Sequence, residues 1–162
     1  MREAADAPKR DTPGVIAPPP LIFGGIFLLA LAIDRTLLGM GFSLPDEART
    51  IAGGLCGFAG IALILVAAVQ FRAARTAIEP WKPTTAIVTT GVFGFSRNPI
   101  YLGMAVGYAG LGLLADSVLA LVLLPLALLI MQYGVIRREE RYLETKFGNS
   151  YSDYCRNVRR WM

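Results

Sequence analysis

Residues 117–136 read SVLALVLLPLALLIMQYGVI and contain no charged side chain. A helix of about 20 residues is about 30 Å long, because each residue adds about 1.5 Å, and this matches the thickness of the hydrocarbon core of a bilayer. The run therefore predicts a membrane-spanning helix. Within it, Pro125 is expected to form a kink that neighbouring helices accommodate.

Three further apolar runs precede this one, at about 21–40, 48–71 and 100–115. The run at 100–115 would make a helix of only about 24 Å, so we expect it to begin inside protein or among lipid headgroups. Only Asp116 separates it from the fourth run, which predicts a tight hairpin. The fold class expected is an all-α membrane protein with four transmembrane helices, a cytoplasmic loop and short C-terminal amphipathic helices.

The composition excludes several classes of protein. Of the 162 residues, 54% are hydrophobic and 17% charged, too few polar residues for the shell of a soluble domain. The net charge of +4 comes from basic residues that flank the apolar runs, which argues against nucleic-acid binding. Histidine is absent and the two cysteines, Cys56 and Cys155, are far apart, which argues against a metal cluster or a disulfide framework. Because no run carries a charge at mid-depth, small-solute transport is also disfavoured.

The basic residues predict the orientation in the membrane. The N-terminal segment, residues 72–98 and the segment after residue 136 together carry all the Lys and Arg side chains except Arg35 and Arg49. Because positive charges near helix ends stay on the cytoplasmic side, we expect a multi-pass integral membrane protein with both termini and the 72–98 loop in the cytoplasm.

The domain organisation is expected to be simple. Residues 1–20, which contain several prolines including Pro18-Pro19-Pro20, are predicted to be a disordered cytoplasmic segment. Residues 21–162 are predicted to form a single membrane domain, with C-terminal helices at 137–158.

The 72–98 loop is long for a small protein. Its prolines break helices, and its alternating Thr and apolar residues suit either an extended, strand-like stretch or an interfacial loop. Two interpretations remain open: a linker on the headgroups anchored by Trp81, Phe93 and Phe95, or a binding loop, which irregular segments of this length commonly form.

The third apolar run begins with Asn98-Pro99, and proline suits the first helical turn, where its missing N–H costs nothing. Tyr101 follows one turn in. A face of small residues then runs along the helix, formed by Gly103, Gly107 and Gly110. It predicts close helix packing, or a groove in which helix-start N–H groups receive a ligand carboxylate or hydroxyl. For the similar pattern at Gly53, Gly57 and Gly60, packing is a sufficient explanation.

Glu139 and Glu140 lie within about a turn of the end of the fourth run, and Gly148 is predicted to end the polar helix that contains them. A charge run of this kind is usually a solvated face. Because the third and fourth helices form a hairpin, however, the acid pair and Tyr101 should meet at one membrane surface. Two acceptors beside helix-start amides and an aromatic ring could hold a nucleoside ribose and an amino-acid tail.

The stretch GVFGFSRNPIYLG at 91–103, followed by Glu139-Glu140 and by Phe147-Gly148-x-x-Tyr151-x-x-Tyr154, resembles the isoprenylcysteine carboxyl methyltransferase-like family, which is related to the phospholipid N-methyltransferases. The resemblance extends from about residue 79 to the C-terminus. It implies an integral membrane enzyme that uses S-adenosylmethionine, held on the cytoplasmic side. The expected partners are membrane lipids and a lipophilic or lipid substrate, methylated on a carboxylate, a thiol or a headgroup amine.

The resemblance also implies site residues. Tyr101 and Arg138 would be catalytic, although Arg138 is only a neighbour of the position that carries the family's substrate-contacting arginine, which is Val135 here. Asn98 and Phe93 replace a histidine and a tyrosine of the eukaryotic members, so a role that needs a titrating imidazole does not transfer, nor does prenylcysteine specificity. The implied cofactor-binding residues are Thr85, Ala86, Ile87, Val88, Phe93, Asn98, Pro99, Ile100, Tyr101, Glu139 and Glu140.

Methyl transfer from a sulfonium depends mainly on alignment and on exclusion of water. A carboxylate or thiolate acceptor needs no base, whereas an ammonium must first lose a proton, and only Glu139, Glu140, Tyr101 or Tyr108 could accept it. The alternative is a protein of the same fold without catalysis, acting as a membrane accessory or assembly subunit.

Overall fold

The computed structural model describes residues 11–162, and this part of the chain contains helices and loops but no β-strand. A π-helical turn, Asp34–Leu38, extends the first α-helix, and another, Gln132–Ile136, joins the fourth to the fifth. A 3-10 turn lies at Gly91–Gly94. The α-helices are α1 (Pro19–Ile33), α2 (Asp46–Ala73), α3 (Pro99–Leu114), α4 (Val118–Met131), α5 (Arg137–Phe147) and α6 (Asn149–Asn157).

Three continuous helical stretches are long and apolar enough to cross a membrane: Pro19–Leu38, Asp46–Ala73 and Val118–Phe147. The all-helical class is therefore confirmed, whereas the count of four spans is not. The α3 helix is apolar but has only 16 residues, or about 24 Å. Pro99 and Tyr101 in its first turn are buried within the protein, as the short third run predicted.

The α2 and α3 helices pack with their backbones in contact. A Cβ atom added at Gly60 would lie 2.6 Å from the carbonyl oxygen of Gly103, and one added at Gly110 would lie 2.7 Å from that of Gly53. Both distances are too short for a side chain, so the packing interpretation of the glycine face is confirmed. α2 fills this face at Gly103 and Gly110, whereas a Cβ added at Gly107 would meet no atom within 4 Å, so the additional interpretation as a ligand groove stays a prediction.

Polar side chains close the end of the bundle where α3 turns into α4. Asp34 is buried and accepts hydrogen bonds from the Ser117 hydroxyl and from the Met40 N–H, the latter at 2.8 Å. Asp116 accepts a hydrogen bond from the Phe42 N–H at 2.9 Å. The α1–α2 connection is thus fixed to the tight hairpin, which the structure contains as predicted.

Residues 11–18, called the strap below, run along the junction of α4 and α5. The N–H of Ile16 donates to the Gly134 carbonyl at 3.1 Å, and Arg138 donates to the Gly14 carbonyl at 2.9 Å. Residues 11–20 thus make defined contacts, whereas the prolines predict disorder for residues 1–20. The first ten residues of that prediction lie outside the described part of the chain. The α1 helix accordingly starts at Pro19, two residues earlier than expected.

The C-terminal helices form a second, smaller core. Gly148 ends α5 as predicted, with a positive φ of 54° that favours glycine, and α6 follows at once. Tyr151, Tyr154 and Val158 pack against apolar side chains of α5 and against Ile87 of the loop. The loop before α3 is irregular, which favours the interfacial-loop interpretation over the strand-like one.

Candidate functional site

A cavity of about 830 Å³, including its open mouth, lies where the loop before α3, the first turn of α3, and helices α5 and α6 meet. Phe71 near the end of α2 and Ile100 in the first turn of α3 contribute part of its wall. The strap closes part of it with Pro13.

The structure brings most of the predicted site residues together around this cavity. The asparagine-proline-tyrosine segment at the start of α3 and the two glutamates of α5 face one hollow, as the hairpin predicted. The predicted residues that line it are Ala86, Ile87, Val88, Phe93, Asn98, Pro99, Ile100, Tyr101, Glu139 and Glu140.

Thr85 is not among the lining residues. Its N–H donates to the Thr76 hydroxyl at 3.0 Å, and its own hydroxyl donates to the Arg75 carbonyl at 2.9 Å. Thr85 therefore anchors the loop to the end of α2, whereas its neighbours Thr84 and Ala86 line the cavity.

Arg138, predicted to be catalytic, is also absent from the cavity wall. Its guanidinium bonds to the strap at Gly14 and lines a separate depression on the outer side of α5. Successive residues of a helix are about 100° apart. Glu139 and Leu143 therefore face the cavity from one side of α5 while Arg138 and Arg141 face away from it.

Glu139 and Tyr101 form the central contact of the cavity. The Tyr101 hydroxyl donates to Oε1 of Glu139 at 2.6 Å, and the tyrosine is buried, with 8% of its surface exposed. Among residues 11–162, no Lys or Arg lies within ion-pair distance of Glu139. This carboxylate thus remains available for a positively charged ligand.

Glu140 has a different environment from its neighbour. Arg160 binds both of its oxygens, at 2.8 and 2.7 Å, and Arg97 lies at 3.2 Å. The hydrogen bonds to the carboxylate raise the pKa of Arg160, which stays charged. Glu140 therefore serves to hold two guanidinium groups at the edge of the cavity.

The last residues of the chain dock against the start of α3. The Arg160 carbonyl accepts a hydrogen bond from the Asn98 side-chain amide at 3.0 Å, and the Arg159 carbonyl accepts one from the Arg97 N–H at 3.0 Å. Asn98 is thus oriented by the chain terminus. Sequence reasoning missed Arg160, and no local pattern identifies it, because its carboxylate partner lies 20 residues away.

Arg97 and two tyrosines of α6 complete the wall. Tyr154 donates to the Phe93 carbonyl at 2.7 Å, and burial raises its pKa, so the phenol remains a donor. Nη1 of Arg97 lies 2.6 Å from Sγ of Cys155, whereas its buried Nε has no hydrogen-bond partner within residues 11–162. These residues were not predicted as site residues, although the motif around Tyr151 and Tyr154 pointed to this helix.

Comparison with known proteins agrees with this arrangement. The family model for phospholipid methyltransferases matches residues 48–150, which include α2 to α5 and the cavity residues of both the loop and α5. The chain belongs to the phospholipid methyltransferase family. The resemblance inferred from the motifs is thereby confirmed.

Two curated relatives match over 77 residues, or 48% of this chain. The nickel-cobalt-cadmium resistance protein NccN of Alcaligenes xylosoxydans xylosoxydans is 35% identical, and the match covers 36% of its length. The cobalt-zinc-cadmium resistance protein CzcN of Cupriavidus metallidurans is 32% identical, with 35% covered. The match thus spans about a third of each of these relatives. No solved structure matches the chain.

Proposed function

We propose that this protein is an integral membrane methyltransferase that uses S-adenosylmethionine and methylates a lipophilic acceptor on a carboxylate, a thiol or a headgroup amine. The observation that carries the proposal is the Glu139 carboxylate in the cavity, bonded by Tyr101 and without a cationic partner among residues 11–162. Family membership supports methyl transfer as the reaction.

The lining of the cavity fits a cationic cofactor. The charged residues that line the cavity are three carboxylates and one cation: Glu79, Glu139, Glu140 and Arg97. Lys82 pairs with Glu79 at 2.7 Å, and both Arg97 and Arg160 pair with Glu140. Glu139 is therefore the carboxylate left for an ammonium or a sulfonium. Apolar walls suit a purine ring.

The carboxylate tail of the cofactor needs a donor, and Arg97 provides one. Its buried Nε has no partner among residues 11–162, and an unpaired buried donor is costly. Because Arg97 lines the cavity, its guanidinium is the group that we propose for a ligand carboxylate. S-adenosylmethionine, when bound, supplies a methyl group that its sulfonium has already activated.

The residues of the chain then position and shield the reacting groups. Tyr101 holds the Glu139 carboxylate in one orientation, and Asn98 is fixed through the chain terminus. Loop and strap cover the cavity and limit access of water, which favours transfer between aligned groups. For an ammonium acceptor, Glu139 is placed to take the proton before attack.

An acceptor from the membrane is supported by the position of the cavity. Phe71 ends an apolar helix whose outer face exposes large side chains such as Leu55, Phe58 and Leu65. Because Phe71 near the end of α2 also lines the cavity, the site lies at the end of an apolar helix. A lipophilic molecule would enter sideways between helices.

Binding tests the cofactor proposal. Purified full-length protein in detergent is titrated with S-adenosylmethionine, which carries both cationic groups, and Glu139→Gln is compared with Glu144→Gln, an exposed residue of the same helix that does not line the cavity. We expect saturable binding that Glu139→Gln weakens about tenfold, as for loss of a charged hydrogen-bond partner, and that Glu144→Gln leaves unchanged. Absence of saturable binding at millimolar ligand would contradict the proposal.

The non-catalytic alternative has its own support, because the names of the two relatives describe metal resistance. An accessory subunit of a resistance system would keep the fold without turnover. Radiolabelled methyl donor is supplied to membranes with and without the protein, and label is sought in lipid, protein and volatile extracts. Binding without transfer of label in any fraction would favour the accessory role.

We also propose that the cavity end of the bundle, with both termini, faces the cytoplasm, as the basic residues predict. Ser43 and Ser150 are exposed near opposite ends of the bundle. In a chain whose two native cysteines are replaced by serine, an impermeant thiol reagent added to intact cells should label Ser43→Cys and leave Ser150→Cys unlabelled. The reverse pattern would invert the topology.

A further inference from the structure

A second depression lies on the outer side of α5, separated from the cavity by Tyr142, which lines both. Its volume is about 1120 Å³ including open space. Arg138, Arg141 and Lys146 line it together with Asp11 of the strap. The cavity, in contrast, is lined by more carboxylates than cations.

The cations of this depression are only partly neutralised. Asp11 pairs with Lys146 at 2.7 Å. Arg138 and Arg141 have no carboxylate partner within residues 11–162; their hydrogen bonds go to the backbone carbonyls of Gly14 and Arg137, at 2.9 and 3.2 Å. Two guanidinium groups thus face an open space without a counter-charge.

The donors are those that bind phosphate. Guanidinium groups offer two parallel N–H groups to an oxyanion, and an ammonium and hydroxyls can add single contacts. Besides Arg138 and Arg141, the depression contains the Lys146 ammonium and the hydroxyls of Tyr142 and Thr145. The Tyr142 hydroxyl lies 2.9 Å from Nζ of Lys146.

The position of Arg138 and Arg141 along the helix favours a membrane lipid over a soluble molecule as the source of the phosphate. α5 continues α4 without a break, and the uncharged run of this helical stretch ends at Ile136, directly before Arg137. Arg138 and Arg141 lie about 3 and 7.5 Å beyond Ile136 along the axis, which is the depth of the headgroup layer. Arg137 stacks on Tyr133, its guanidinium carbon 4.4 Å from the ring centroid, as expected of a pair at the membrane interface.

We propose that this depression binds the phosphodiester of an anionic membrane phospholipid, with Arg141 and Arg138 as its main donors. The site is distinct from the methyl-transfer cavity and does not depend on the function proposed for it. A lipid bound here competes with Asp11 for Lys146 and lies beside the strap that covers part of the cavity.

The test uses the full chain in a neutral detergent and three soluble probes: dihexanoylphosphatidylglycerol, dihexanoylphosphatidylcholine and inorganic phosphate. Calorimetric titration measures each affinity for the wild type, for Arg141→Gln and for the control Arg137→Gln. The control removes the same charge from the same helix outside the depression. Gel filtration and thermal melting verify that each variant is folded.

We expect saturable binding of phosphatidylglycerol, tighter than that of the other two probes. Arg141→Gln should weaken it about tenfold, the effect of losing a charged hydrogen-bond donor, and Arg137→Gln less than about twofold. If Arg141→Gln does not fold, Arg141→Lys replaces it, and loss of the bidentate contact should still weaken binding measurably.

Three results would overturn the proposal. No saturable binding of phosphatidylglycerol would exclude the site. Equal weakening by the two variants would show that only general surface charge attracts the lipid. Binding of inorganic phosphate at least as tight as that of the lipid, with the same dependence on Arg141, would assign the depression to a soluble phosphate instead.

Discussion

The acidic residues at the two ends of the helical bundle differ in their hydrogen-bond and ion-pair partners. At the end where α3 turns into α4, Asp34 and Asp116 each accept hydrogen bonds from other elements. At the cavity end, Glu139 receives a hydrogen bond from Tyr101 and has no cationic partner among residues 11–162. Buried polar groups are normally satisfied. The carboxylates at one end are therefore held by the fold, whereas one carboxylate at the other end is available for the ligand that we propose.

The largest effect on stability is expected at the closed end. Asp34→Ala removes both hydrogen-bond acceptors at a buried position and leaves the Ser117 hydroxyl and the Met40 N–H without their partner. We expect a loss of about 2–4 kcal/mol in the free energy of unfolding. Thermal melting in detergent measures it.

The control for that variant is Asp46→Ala, whose side chain is 91% exposed and which should cost less than about 1 kcal/mol. Affinity of the folded fraction of Asp34→Ala for S-adenosylhomocysteine should stay unchanged. If that affinity fell with stability, the two ends would not be separable.

At the edge of the cavity we expect a smaller loss of stability than for Asp34→Ala, together with a loss of ligand affinity. Arg160→Gln removes the bidentate partner of Glu140, whose side chain is only 16% exposed. We expect a loss of about 1–3 kcal/mol in stability. Ligand affinity should also fall several-fold, because the terminus that orients Asn98 loosens. Melting and calorimetry measure the two effects.

Arg156→Gln is the matched control, since its side chain is 72% exposed and its one ion pair within residues 11–162 is with Asp153 in the preceding turn. It should change neither quantity. Equal behaviour of the two variants would show that the chain terminus contributes nothing to the site.

Within the cavity we expect binding to change more than stability. Tyr101→Phe removes the hydrogen bond to Glu139 and keeps the packing of the ring. Ligand affinity should fall about threefold to tenfold, with a stability change below about 1.5 kcal/mol. Tyr101→Ala should weaken binding further while leaving folded protein in detergent. An unchanged affinity in both variants would refute the role given to Tyr101.

The smallest effect is expected at the strap. The hydrogen bond from Lys146 lowers the pKa of the exposed Asp11 carboxyl. This contact therefore contributes above the ordinary pKa of aspartate and is lost as the pH falls through the lowered value. The hydrogen-exchange protection factors of residues 11–18, in which the intrinsic pH dependence of exchange is removed, should fall with acidification in the wild type and show no such transition in Asp11→Asn. Thr12→Ala, which leaves the ion pair in place, should keep the pH dependence.

Local features of the fold were predictable from the sequence. The apolar runs, the start of α3 at Pro99 and the end of α5 at Gly148 follow from length, helix capping and glycine conformation. The strap was not predictable. Its order rests on contacts such as the pair of Asp11 and Lys146, and residues 135 positions apart in the chain leave no local pattern.

The site was predicted in part. The hairpin brought Tyr101 and the two glutamates to one end, as the order of the helices requires. The sequence could not tell Glu139 from Glu140, although one faces Tyr101 and the other binds Arg160. Nor could it show that Arg138 faces away, because one residue of offset turns a helical side chain by about 100°.

The sequence by itself thus determined that this chain forms a helical membrane protein with a polar region after its last span. The deciding features are the apolar runs and the prolines and glycines at which helices begin and end. These are local properties, governed by burial in lipid and by backbone conformation. The tertiary structure decided which carboxylate stays without a cation and which is held by the chain terminus. Helix rotation and long-range contacts set that difference, and neither is encoded in the spacing of residues along the chain.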